Sequence, residues 1–187
     1  MPSIINKLVN GVKKGVQSSL EGASDVSSSI VNTVKDTAVD LIRESSDFVA
    51  QGIDSAASVV KGAMSGLSNI GATSIKSVRN IIQGTVEGIM EEDVKRDEAI
   101  EGSVKQALHS AKDLWMNIGG VATAAIKGSV RAVKEVGGDT GQATKKAIKA
   151  ALDAAKQIGE ETYQSVKESI SEGVEGGKDI INSITEE

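Results

Sequence analysis

Side chains able to do chemistry are few in this chain, and their spacing does not assemble a site. There is one histidine, His109, and no cysteine. Thiolate nucleophiles, disulfides and thiolate zinc sites are therefore excluded. One imidazole also cannot supply the repeated Glu-x-x-His ligands that helical metal sites draw from facing helices. Adjacent acids occur at Glu91/Glu92 and Glu160/Glu161, but with no base set against them they read as a solvated face. The cluster GGDTG at 137–141 is followed by no Gly-Lys-Ser/Thr and lacks the G-x-G-x-x-G spacing, so it reads as a helix break and not a phosphate loop. No catalytic, metal-ligating or cofactor-binding residue emerges, and the expectation is a non-enzymatic protein without a cofactor.

The elements that carry these residues are legible from composition and periodicity. Aromatics are 2% of the 187 residues, namely Phe48, Trp115 and Tyr163. A core must therefore be built from Val, Ile, Leu and Ala. The one proline is Pro2, so nothing beyond it forbids helix. The 20 glycines each cost a helix interior about 1 kcal/mol against alanine, so any helix here needs a surface to lie on.

That surface is written as an eleven-residue repeat with apolar spacing 4, 4, 3. The first column holds Val12, Val34, Leu67, Val78, Ile89, Ile100, Val133 and Val166 with five alanines, and Ser45, Thr144 and Gly177 are its three other members. The second holds Val16, Val49, Val60, Ile82, Val104, Trp115, Ile126, Ile148, Ile170 and Ile181. The third holds Leu20, Val31, Ile42, Ile53, Met64, Ile75, Val86, Leu108, Val130, Leu152, Tyr163 and Val174. A fourth column containing Phe48 widens the arc. The period, about 3.67 residues per turn, is helical and slightly unwound, which suits a flat surface or a right-handed supercoil. The apolar arc is the expected surface- or partner-binding face.

The flanks of the arc are ordered too. Lys13, Lys35, Arg79, Lys112, Lys134, Lys145, Lys156, Lys167 and Lys178 share one column. Lysines at the edge of an apolar face can lay their stems along it and lift the ammonium to a lipid headgroup. The other flank is small, with Gly11, Gly66, Gly88, Ser55, Ser77, Ala99 and Ala132 among its members, and such a column admits a second helix backbone. The formal charge of −5 argues against a general nucleic-acid binder. No run approaches the ~20 apolar residues of a membrane span, and the N-terminus lacks a signal-peptide core.

These columns, with phrases such as GVKKGV (11–16) and TKKAIKAALDAAKQ (144–157), resemble group 3 late-embryogenesis-abundant proteins. The 4-4-3 stripe is also similar to that of the synucleins, and the charge layout to that of exchangeable apolipoproteins, although the synuclein KTKEGV hexamer is absent. The resemblance implies a protein that folds on lipid, on drying or on itself, with no active site.

Two stretches interrupt the stripe, GIMEEDVKRDEAIEG (88–102) and GGDTG (137–141), and both keep register. The fold class predicted is all-α: long amphipathic helices, bent or folded back as an elongated bundle or a right-handed coiled coil. One helical repeat region spans 1–187. A long helix runs from about 3 to 136 and a second from about 142 to 184, with bends near 91–98 and 137–141. Good helix formers at 91–98 favour helix there, and the glycines at 137–141 favour a stop. The function expected first is binding of a membrane, lipid droplet or other hydrophobic surface through the apolar face. A structural oligomer built by self-association is the alternative, and a desiccation protectant the second alternative. The expected location is cytoplasmic, including the surface of a membrane or granule.

Overall fold

A computed structural model describes residues 4–20, 26–44, 52–92 and 94–186. Among the described residues there are nine helices and no strand. They are α1 (Ile4–Leu20), α2 (Val26–Glu44), α3 (Gly52–Asn69), α4 (Ile75–Glu91), α5 (Arg96–Asp113), α6 (Ile118–Glu135), α7 (Thr140–Ile158), α8 (Glu160–Gly173) and α9 (Gly177–Thr185). The protein is all-α, and its amphipathic helices fold back on one another.

The continuous helix expected from 3 to 136 does not form, and the one expected from 142 to 184 is divided at Gly159 and again at 174–176. The helices α3 to α6 end at Asn69, Glu91, Asp113 and Glu135. Each end falls two eleven-residue units after the last. A helix and its turn together fill 22 residues, so the chain reverses without disturbing the apolar columns. Kept register is therefore no sign of an unbroken helix. The segments 91–98 and 137–141 are two reversals in this series. At the first, α4 stops at Glu91 and α5 starts at Arg96. Asp97 and Glu98 then lie in the first turn of α5, where carboxylates suit the helix dipole.

Local chemistry sets these boundaries. The Ser74 hydroxyl accepts from the Ser77 backbone N–H at 3.1 Å, and the Ser77 hydroxyl accepts from the Ser74 N–H at 2.7 Å, closing a capping box on α4. Asn117 and Asp139 cap α6 and α7 by accepting from the Gly120 and Gln142 N–H groups. The C-terminal ends of α3, α5 and α6 share one device. Gly71, Trp115 and Gly137 have φ of 68°, 56° and 75°. The following residues, Ala72, Met116 and Gly138, each donate back to the carbonyl five residues earlier at 2.9 Å. These are Schellman caps, in which a left-handed residue lets the chain leave the helix while satisfying its last carbonyls.

The helices stack in two layers. Each packs on the next in sequence and, from α1 to α6, more extensively on the one after that. Among the described residues no helix touches one further away in the chain, so the stack is open, in the manner of a repeat solenoid. Odd-numbered helices form one layer and even-numbered helices the other. Within a layer neighbours are parallel and approach through glycine. A Cβ built on Gly62 or Gly66 of α3 would stand 2.5 or 2.9 Å from the Val9 or Lys13 carbonyl oxygen of α1. The same relation holds for Gly84 and Gly88 of α4 against Val31 and Lys35 of α2, at 2.5 and 2.7 Å, and for Gly128 of α6 against Arg79 of α4, at 2.5 Å. Two expected glycine-flank members, Gly66 and Gly88, thus meet backbone directly.

Ion pairs bridge these neighbours. Lys35 of α2 meets Glu91 of α4 at 2.6 Å, and Arg43 meets Glu92 at 2.8 Å. Glu101 of α5 accepts from Lys105 on its own helix and from Lys146 of α7, both at 2.7 Å. Hydrogen bonds from these two ammonium groups hold the Glu101 carboxyl below its ordinary range, against the opposing effect of burial. The hydrogen bond to Glu91 raises Lys35.

Two outcomes follow from this packing. Gly84→Val places side-chain atoms where α2 backbone stands, and should cost about 3 kcal/mol. Gly11→Ala, where an added Cβ meets nothing within 4 Å, should stabilise by about 0.5–1 kcal/mol. Urea unfolding of both variants checks the contrast. Glu101 is depressed in the folded state, so its stabilisation is present above the unfolded carboxylate pKa and is lost as pH falls through the folded one. Glu101→Gln should therefore cost about 1 kcal/mol at neutral pH. The gap from the parent should close in acid, as measured by denaturant midpoints along a pH series.

Candidate functional site: a basic groove beside an exposed tryptophan

The apolar arc proposed as a binding face lies mainly inside the fold. Val12, Val16, Val34, Ile42, Val60, Met64, Leu67, Val78, Ile82, Val86, Ile89, Ile100, Val104, Leu108, Ile126, Ile148, Leu152, Val166, Ile170, Val174 and Ile181 are all buried. Val31, Val130 and Tyr163 are half-buried. Phe48, Val49 and the side chain of Leu20 lie outside the described residues. Of the described apolar members of the first three columns, only Ile53, Ile75 and Trp115 are exposed, and Ile70 and Val136 of the fourth column are exposed as well.

The nine basic residues of the flanking column are likewise divided. Because the chain reverses every second unit, Lys13, Lys112, Lys145, Lys156 and Lys178 fall in the odd layer. Lys35, Arg79, Lys134 and Lys167 fall in the even layer. They do not form one headgroup-facing row.

Among the described residues, three of the five exposed large apolar side chains lie at one edge, while Ile53 and Val136 lie at the opposite end of the stack. The turns after α3 and α5 lie at the same end of the stack, because the odd helices are parallel. This edge carries Ile70 (46% exposed), Ile75 (40%) and Trp115 (95%), with Met116 and Ile118 half-buried beside them. Trp115 is also the one described non-glycine residue with positive φ. It occupies the cap position that Gly71 and Gly137 fill in the sister turns. A bulky residue there is strained by at least about 1 kcal/mol, so its backbone conformation and its exposure are both unfavourable for the fold.

Beside this edge the even layer carries a cationic groove. Lys76 and Arg79 stand one turn apart on α4, and Lys127 and Arg131 one turn apart on α6. Gly128 seats on the Arg79 carbonyl, so Lys127 and Arg131 lie to either side of that level. One depression of about 550 Å³ is lined by Ile75, Lys76, Arg79, Gly120, Thr123, Ala124 and Lys127. A second, of about 390 Å³, is lined by Ser27, Ser28, Val31, Asn32, Lys76, Arg79, Asn80, Gln83 and Arg131. The two share Lys76 and Arg79, and neither lining contains a carboxylate among the described residues. A third depression of about 690 Å³ continues past Lys127, Arg131 and Lys134, and there Glu135 and Glu175 join the wall.

The groove is set apart by four cations that converge with no carboxylate lining the two depressions they share. Lys35, Arg43, Arg96, Lys105 and Lys146 are all neutralised by carboxylates. Lys76, Arg79, Lys127 and Arg131 make no ion pair among the described residues, in a chain of formal charge −5. The Arg79 Nε is buried with no hydrogen-bond partner, an arrangement that ordinarily costs stability. The groove can hold negative charge. It has no nucleophile–base pair, and His109 lies on α5 in the other layer. Among the described residues no group of three His, Asp or Glu is placed to hold a metal ion.

Lys76, Lys127 and Arg131 were absent from the sequence-derived set, because α5 intervenes between them in the chain. The signal for Trp115 was available. Gly71, Trp115, Gly137 and Gly159 recur at multiples of 22 in the second apolar column, which marks the turn.

No protein-family model and no curated protein matches this chain.

Trp115→Gly restores the residue type of the sister turns. It should raise stability by about 1 kcal/mol by relieving the left-handed strain, measured as a shift in the urea midpoint.

Proposed function

We propose that the protein is a non-enzymatic helical-repeat scaffold that docks on an anionic lipid surface by its loop edge and not by its apolar arc. The observation that carries this reading is Trp115, held 95% exposed in a strained turn. Tryptophan suits the membrane interface, where its ring is partly apolar and its N–H stays wet. Ile70 and Ile75 extend the same edge, and the unpaired Lys76, Arg79 and Lys127 stand behind it. Anionic lipid attracts each such cation by about 1 kcal/mol.

The arc itself is committed to the core, so no unfolding is required for docking. No helix among the described residues is long and apolar enough to cross a membrane, which fits a peripheral mode.

Vesicles containing phosphatidylserine should shift the Trp115 emission to shorter wavelength, and salt should reverse the shift. Helicity by circular dichroism should stay constant. Trp115→Ala should weaken co-sedimentation by about tenfold or more, the loss of one interfacial aromatic. A rise in helicity on lipid, or equal binding by Trp115→Ala, would overturn docking by the edge.

A further inference from the structure

We infer that the groove between α4 and α6, walled on its far side by α2, is a binding site for a ligand carrying at least two phosphate groups. The proposal rests on the groove's own charges and stands whether or not the loop edge meets lipid.

Four cations converge on two connected depressions that share Lys76 and Arg79. Lys127 completes one and Arg131 the other, so each depression offers three cations. The two together fit a ligand with separated charges better than a single anion. Carboxylates are missing from both linings, which distinguishes this groove from the third depression, where Glu135 and Glu175 intrude.

The Arg79 Nε adds an independent observation. It is buried and has no acceptor among the described residues, so a guanidinium that lines both depressions keeps unused donor capacity. Phosphate oxygens are the acceptors that guanidinium groups meet with paired, charge-assisted hydrogen bonds. The remaining wall supplies neutral polar groups, Asn32 and Asn80, that can serve the same oxygens.

Phosphate groups on a soluble molecule and on a lipid headgroup share this chemistry, and the test separates them. Titration calorimetry with inorganic tripolyphosphate probes the soluble source. Vesicles carrying a bisphosphorylated inositol lipid probe the headgroup source, against phosphatidylserine vesicles of equal charge. The variant Lys127→Glu/Arg131→Glu changes two exposed side chains of the groove. Lys145→Glu/Lys149→Glu makes the same change in net charge on α7, in the other layer.

Tripolyphosphate should bind the parent, more weakly as salt rises, and the groove variant should lose about 100-fold in affinity while the α7 variant loses less than about threefold. Binding to the inositol-lipid vesicles alone, with the same dependence on the groove variant, assigns the site to a headgroup. An equal loss in both variants, or no binding of either probe at low salt, overturns the site. If Trp115 emission is unmoved by phosphatidylserine vesicles while tripolyphosphate still binds, the docking edge fails and the groove stands.

Discussion

The seating of glycine on the backbone carbonyls of a parallel neighbour is the contact on which the rest of the structure depends. Gly62 and Gly66 meet α1, Gly84 and Gly88 meet α2, and Gly128 meets α4 in the same way. Helices brought this close need little side-chain volume between them. That explains a core made of Val, Ile and Ala, with the largest fully buried side chains being Ile, Leu and Met. It also explains the glycine load. Each glycine weakens its own helix by about 1 kcal/mol, and close backbone approach recovers this through the many dispersion contacts that a wider spacing would forfeit.

The width of the apolar arc follows from the same geometry. A helix lying on a flat surface needs one apolar stripe. A helix inside a two-layer stack touches its neighbours in both layers, up to two places away in the chain on either side. Several apolar columns and a small one are then all occupied by protein. The eleven-residue columns were legible in the sequence, and so was the all-α class. The reversals were not, because a 22-residue helix–turn unit leaves the columns in phase. At 91–98 the residues favour helix by propensity, yet α4 ends at Glu91 and Val94 is buried. Tertiary burial of the next helix outweighs a few tenths of a kcal/mol per residue of intrinsic preference.

The candidate site was hidden for a related reason. Lys76 and Arg79 face Lys127 and Arg131 only because alternate helices are parallel neighbours, and no local pattern signals that pairing. The column of nine basic residues pointed elsewhere, since its members divide between two layers once the chain folds back. Of the nine, Arg79 and Lys134 reach the groove system. Electrostatics in the assembled fold thus depends on topology more than on composition. A chain with 26 acids and 21 bases can still present a local positive field where folding gathers cations and no carboxylate, as in the two depressions that share Lys76 and Arg79.

Repeat stacks are close to one-dimensional: each unit is stabilised by its neighbours, and a turn can vary without disturbing distant units. The turn after α5 uses that freedom. It keeps the cap hydrogen bond from Met116 to Ala111, so the helix end is as well satisfied as at Gly71 or Gly137, while an exposed indole replaces the glycine. The cost is local and is borne by a fold whose core lies elsewhere. Along the even layer, four cations gathered in depressions that no carboxylate lines are a second such cost, borne again on the outer surface of two well-packed helices. Two unfavourable features of different physical origin, strain at a turn and unscreened like charge in a groove, meet where Ile75 lines the depression that begins at the edge. A scaffold selected for stability alone would have glycine at 115 and acids among the lysines. Their joint departure at one corner of the molecule is the physical argument that this corner is where the protein meets something else.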